Sequence, residues 1–438
     1  MEQYVNLFRS QRQLVDSHSV PLLNAQRDAA FDTFRRQGFP STRVERYRYT
    51  DVAAAFAPDY GLNLGRVDVP LGPHAAFRCD VPNLSTHLVQ VVNDQPRLPA
   101  DDIPFVTTLS RAASQHPDLL ARCYNRQAAA SGDGITALNT LFAQDGLLVY
   151  VPRRQRMERP LQVVNLLRAA VPMMANRRVL VVLDEGAEAR LLFCDHALDR
   201  QSFLTTQVVE VCVGDGARLD LYEVEETHTL CRRFSQLYVQ VGRDAAFSHH
   251  SVTLFNGLTR NTTDVRLLGE NAQVTLNGCV VADKHQHVDN NTLIDHRVPR
   301  CTSHQLYKYV LDDAAVGAFA GRVLVRPDAQ KTTSQETNAN LCASPQARMY
   351  TQPMLEIYAD DVKCAHGSTV GVLDQQALFY MRQRGIDEAE ARLLLKNAFV
   401  AQVVEAIRLE PLRDRLHHLV EKRFRGELDK CTGCALCK

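Results

Sequence analysis

The 438-residue chain balances 50 Lys plus Arg against 50 Asp plus Glu, which excludes the broad basic surface that nucleic-acid binding needs. Its 45% hydrophobic and 23% charged residues suit a soluble globular protein with a real core, and its length fits two or three domains. No run approaches the roughly 18 apolar residues of a spanning helix, and Met1-Glu2-Gln3-Tyr4 lacks the basic-then-apolar opening of a secretory signal.

The first sixty residues read as helical. Leu23, Ala30 and Phe34 recur at helical spacing, and Gly38 followed by Pro40 ends the run. Residues 61 to about 105 are Pro- and Gly-rich and predict irregular chain or short strands. A further helix is expected from Leu109 to about Ala130. From Leu147 to about Phe379, short β-branched and aromatic runs alternate with turns, as in Leu219-Asp220-Leu221-Tyr222. Five turns end in Ala before a β-run, at Ala187, Ala217, Ala245, Ala272 and Ala314. Their separations are 30 (217−187), 28 (245−217), 27 (272−245) and 42 (314−272) residues. A β-sandwich also gives many short strands. The repeating corner favours a stacked β-helix, in which neighbouring coils bury each other.

Helices return at the C-terminus. Asp387 and Glu390 resemble a capping box, and Ala391, Leu394, Leu395, Ala398, Phe399, Val403, Ala406 and Ile407 form an apolar stripe. Pro411 suits the first turn of a last helix carrying Leu412, Leu416, Leu419 and Val420, with a basic face of Arg413, Arg415, Lys422, Arg423 and Arg425. The expected domains are 1–135 (helical and irregular), 136–380 (β-helix core), 381–430 (helical) and 431–438 (a Cys-rich tail).

No phosphate-cradling G-x-x-x-x-G-K-[ST], dinucleotide G-x-G-x-x-G or G-x-S-x-G elbow is present. Any ATP hydrolysis therefore belongs to another subunit. Twelve cysteines scattered through a long chain without a secretory signal read as reduced thiols in the cytoplasm. In Asp361-Val362-Lys363-Cys364-Ala365-His366-Gly367, a continuous strand would put Cys364 and His366 on one face, a sulfur and an imidazole suited to iron, zinc or Cu(I). The same residues also fit a half-buried thiol beside an ordinary histidine. Two ligands do not complete a four-ligand site. At the end, Cys431, Cys434 and Cys437 have the C-x₂-C-x₂-C opening of a ferredoxin run without the fourth ligand; a tail with plain thiols fits them equally. His249, His250, His285, His287, His296 and His304 lack carboxylates at a ligand spacing and read as packing or surface histidines, with His285 and His287 sharing a strand face.

Val316-Gly317-Ala318-Phe319-Ala320-Gly321-Arg322-Val323, Ala329-Gln330-Lys331-Thr332, Pro353-Met354-Leu355-Glu356-Ile357 and Leu378-Phe379-Tyr380-Met381 with Arg384-Gly385-Ile386 resemble the SufB/SufD family of iron–sulfur assembly scaffolds. So do Ala137-Leu138-Asn139-Thr140 and Glu45-Arg46-Tyr47-Arg48-Tyr49-Thr50, where Tyr47 stands at the usual Trp. The segment around Cys364 and His366 is similar to the SufD branch; SufB members carry a Glu-His-Glu type sequence there. The resemblance implies a right-handed parallel β-helix between helical domains, in a non-catalytic scaffold subunit of the SUF complex. It implies pairing with SufB, and with another copy of the chain as an option when SufB is absent. It also implies binding of the ATPase SufC by the C-terminal helices, for which Ala391, Leu395, Phe399, Leu412 and Leu416 are the candidates. His366, with Cys364 beside it, would lie where a transient iron–sulfur cluster forms against SufB, the chain helping to build that site and to acquire iron. Two other classes compete: a secreted-type carbohydrate-active β-helix enzyme, which needs paired carboxylates, and an electron carrier built on the terminal cysteines.

Overall fold

A computed structural model describes residues 1–71, 81 and 84–427. Its centre is a parallel β-solenoid, and the chain is mainly β with helices before and after. Successive strands alternate between two 10-stranded sheets, each pairing in parallel with the strand two ahead. Sheet I contributes eight solenoid strands from Leu147–Val151 to Arg348–Ile357, and sheet II eight from Leu161–Leu167 to Lys363–Gly371. Side chains on the inner faces form one core between the sheets, including Leu191, Val211, Leu221, Val239 and Phe319.

The corner repeat has a physical origin. A residue with positive φ turns the chain (Gly186, Gly216, Asp244, Asn271), and the small residue after it points inward, so Ala187, Ala217, Ala245 and Ala272 are fully buried. Next in this column comes Cys301 and not Ala314, a step of 29 residues (301−272), preceded by Arg300 at φ +61°. Thr332 follows after 31 (332−301), preceded by Lys331 at φ +61°. Ala314 sits at the opposite corner, where Ala315 is the buried residue. The irregular 42-residue step therefore spanned two different corners. Arg and Lys in left-handed conformation carry no turn signature, which hid the regular period.

Each outer face is covered. Tyr4, Phe56 and Phe142 of the N-terminal region pack on Met174, Leu204 and Phe234 of sheet I. Val400, Val403, Val404 and Leu416 of the C-terminal helices pack on Tyr222, Val252 and Leu254 of sheet II. At the N-terminal end the ladders are closed by antiparallel strands, Gln95–Arg97 on His87–Val92 and Val106–Thr108 on Leu147–Val151.

Several helical expectations change. Gly38 (φ +61°) ends the helix Arg27–Gln37 as expected, but Leu23 lies in a separate helix, Pro21–Asn24. Leu23 packs with Leu109 and Leu120, away from Ala30 and Phe34. The stretch from Leu109 forms three short helices, Leu109–Gln115, Pro117–Cys123 and Arg126–Ser131, broken at Pro117 and at Asn125 (φ +59°). The C-terminal helices run Gln375–Gln383, Glu388–Glu405 and Glu410–Phe424. Asp387 caps the second by accepting from the Ala389 amide at 2.9 Å. Glu390 does not complete a capping box; it pairs with Arg425 at 3.1 Å. His285 lies in a turn before the strand His287–His296, so the two histidines share no strand face.

Candidate functional site

The C-terminal end of the solenoid carries no covering strand among the described residues. Among the described residues, Lys363–Gly371 is the last strand of sheet II and pairs only with Thr333–Cys342, and Arg348–Ile357 is the last of sheet I. Lys363–Gly371 runs unbroken through Gly367, where an added Cβ would meet nothing within 4 Å. The glycine therefore neither bends the strand nor admits another part of this chain. Strand continuity puts Cys364 and His366 on one face, about 6.5–7 Å apart. Cys364, opposite Ser334, is half-buried against the cluster of Val323, Val325, Ala329 and Ala359, and burial raises its thiol pKa. His366, opposite Glu336, is exposed at the rim. Two positions on, the Ser368 hydroxyl meets Thr351 Oγ1 across the sheets at 2.6 Å.

A polar layer lies one coil below. Thr292 donates to Gln305 Oε1 at 2.7 Å, and Gln305 Nε2 donates to Glu336 Oε2 at 3.1 Å. Ser334 and Ser303 hydroxyls lie 2.8 Å apart, and Ser303 contacts His296 Nε2 at 2.9 Å. Glu336 is fully buried, and its Oε1 has no hydrogen-bond partner among the described residues. Burial pushes its carboxyl up to about 8, so it is protonated at neutral pH. Gly321 on the facing strand makes the room: a Cβ there would fall 2.3 Å from Glu336 Oε1. No sequence motif singles out Glu336. Its signal was the alternation Ser334, Glu336, Asn338 opposite a strand with Gly at 317 and 321.

The N-terminal signature packs on the last coils of sheet I. Arg46 Nε donates to Asn291 at 2.7 Å and its other nitrogens pair with Asp264. The Tyr47 ring lies 4.8 Å from the Arg260 guanidinium, and Tyr49 stacks on Tyr350 at 4.6 Å. Tyr47 thus provides the flat, buried face that an indole would.

Of the C-terminal candidates, Ala391, Leu412 and Leu416 are buried, and Leu395 and Phe399 are half-buried against the same cluster. The expected stripe is rotated. Leu394 and Ala398 face outward, while Leu393, Val400 and Val404 are buried. Arg423 is no solvated cation either. It holds Asp283 bidentately at 2.7 and 2.8 Å and donates to Gln286 at 2.9 Å. His249 and His296 are buried packing histidines, His249 paired with Glu223 at 3.1 Å. Cys431, Cys434 and Cys437 lie outside the described residues. Among the described residues no three His, Cys, Asp or Glu side chains converge on a possible metal position, and no helix is long and apolar enough to cross a membrane.

Comparison with known proteins agrees with this architecture. Residues 166–399 match the family model for the SufBD core domain of SUF system FeS cluster assembly, and residues 1–163 match the SufBD N-terminal region. The chain belongs to the SufBD family. It is 29% identical to the iron–sulfur cluster assembly protein SufD of Escherichia coli over 89% of this chain and 90% of that one. A SufBD family protein of Synechocystis is 26% identical over 94% of this chain and 93% of its own length. The chloroplastic protein ABCI7 of Arabidopsis thaliana is 28% identical over 66% of this chain and 63% of its own. The SufBD assignment connects the chain with iron–sulfur cluster assembly.

Proposed function

We propose that this chain is a non-catalytic scaffold subunit of a SUF complex, pairing with SufB through the open end of its solenoid. The observation that carries this reading is the asymmetry of the two ends. Antiparallel strands close the N-terminal end, whereas the outer edges of the last two strands carry no further strand among the described residues. Ile357, Tyr358, Val370 and Val372 are exposed beside them, Tyr358 at 62% and Val372 at 73%. An uncapped β edge with apolar flanks favours pairing with another chain. His366 and Cys364 stand on that rim as an incomplete pair of donors, so a nascent cluster held there takes its remaining ligands from SufB. Neutral imidazole is a competent ligand for iron.

The ATPase is assigned to SufC, bound on the outer side of the C-terminal helices. With the inner stripe occupied by the solenoid, contact falls to the exposed Phe379, Tyr380 and Leu394.

The test is His366→Ala, which removes the donor and leaves strand packing in place. Assembly with SufB and SufC should be unchanged, while cluster-dependent reporter activity per assembled complex falls severalfold; Cys364→Ser should do less unless both are ligands. Full reporter activity in the His366→Ala strain would remove the cluster role.

A further inference from the structure

On the outer face of sheet I, away from the open end, two thiols share one surface pocket. Cys123 ends the helix Pro117–Cys123, and Cys212 lies near the end of the strand Phe203–Val213. Both line a pocket of about 340 Å³ with Arg122, Arg126 and Gln127, and both pack in one cluster with Leu119, Leu120 and Val182. The surroundings hold them in place. Glu210, two residues before Cys212, is fully buried and accepts from the backbone amides of Asn125, Gln127 and Ala128 at 2.8, 2.9 and 3.0 Å. It also takes a hydrogen bond from Arg178 at 2.8 Å. The loop after Cys123 is therefore pinned to the strand carrying Cys212. Gln127 Nε2 reaches the Cys212 sulfur at 3.7 Å and Val211 O at 3.0 Å.

We propose that Cys123 and Cys212 form a redox-active dithiol, oxidised to a disulfide by a small anionic disulfide of the glutathione type. The oxidised form joins the N-terminal helical region covalently to the solenoid.

The two sulfurs are inequivalent. Hydrogen bonding from Cys212 lowers the Cys123 pKa to about 6 against the opposing effect of burial, and Arg122 beside it adds to the shift. Cys212 is driven the other way by the bond to Cys123 and by burial. The Arg122 cation beside Cys123 favours that thiolate, which makes Cys123 the nucleophile and Cys212 the resolving thiol. Cys123 thiolate attacks one sulfur of the oxidant RSSR, whose S–S bond breaks to release RS⁻. Cys212 then attacks the Cys123 sulfur of the mixed disulfide, giving its proton to the departing second RS⁻. Two protein thiols are oxidised and one RSSR is reduced. Arg122 and Arg126 at the pocket mouth favour carboxylate-bearing oxidants.

The test exposes the full chain to glutathione disulfide under anaerobic conditions and maps non-reduced peptides by mass spectrometry. A Cys123–Cys212 cross-linked peptide is expected. Its rate of formation at pH 6.5 should be about tenfold that of a thiol of ordinary pKa, the gain in thiolate outweighing its lower nucleophilicity. Cys212→Ser should stop at one glutathione adduct on Cys123, and Cys123→Ser should form no cross-link and take up glutathione at Cys212 more slowly than Cys212→Ser does at Cys123. The absence of the cross-link, or modification of Cys212 in Cys123→Ser at the wild-type rate, would overturn the proposal.

Discussion

Replacing Glu336 by Gln should remove a pH-dependent loss of stability. The carboxyl ionises near 4.5 in an ordinary setting and near 8 in the fold, because burial disfavours the charged form. A carboxyl raised in the folded state holds its proton more tightly there than in the unfolded chain. The stabilisation is fully present below pH 4.5 and is lost as pH rises from there through 8. The gap of about 3.5 pH units corresponds to about 5 kcal/mol at most, at about 1.36 kcal/mol for each. Integrated from pH 5.5 to 8, wild type should lose about 3 kcal/mol through this group alone. The substituted amide keeps the shape of the protonated acid and still accepts from Gln305 Nε2, which bonds Glu336 at 3.1 Å. Urea unfolding of both proteins at pH 5.5, 7 and 8 gives the difference, in which the other titrating groups cancel. The variant should be more stable than wild type by about 1.4 kcal/mol at pH 5.5 and by about 4.4 kcal/mol at pH 8. A wild-type-minus-variant difference that stays flat across this range would refute the reasoning and place the Glu336 carboxylate in contact with water.

Arg423→Ala leaves Asp283 without its bidentate partner and should cost about 3 kcal/mol, read as faster proteolysis between the C-terminal helices. Cleavage at the wild-type rate would show that apolar packing alone holds them. Phe379→Ser with Leu394→Ser should weaken SufC binding at least tenfold in a normally folded chain, measured by calorimetry; unchanged affinity would move that contact elsewhere. Deleting residues 431–438 should lower iron retained after anaerobic reconstitution, and equal iron with and without them would leave Cys431, Cys434 and Cys437 as plain thiols. Purified chain free of SufC should show no ATP turnover.

The β-solenoid was legible because its grammar is local. Turn residues ahead of a small inward residue recur at every coil, and apolar residues two apart line the interior. The family motifs likewise lie in continuous segments. The period was lost only at Arg300 and Lys331, where residues without turn preference adopt positive φ because the coils above and below hold them there. The pairing of Cys364 with His366 on one face followed from strand periodicity, but their place on a bare rim depends on where the stacking stops. Glu336 looked like an ordinary polar residue because its burial comes from Gly321 on the other sheet, 15 residues away in sequence (336−321). The helix from Glu388 to Glu405 was predictable as a helix, yet its buried face was not. With apolar residues at 393, 394, 395, 399 and 400, several rotations bury similar area, and contact with sheet II selects one. The same holds for Cys123 and Cys212, 89 residues apart (212−123), whose meeting is set by Glu210 gathering the amides of a distant loop. Periodicity fixes which residues share a face; what each face meets is decided by packing between segments far apart in the chain.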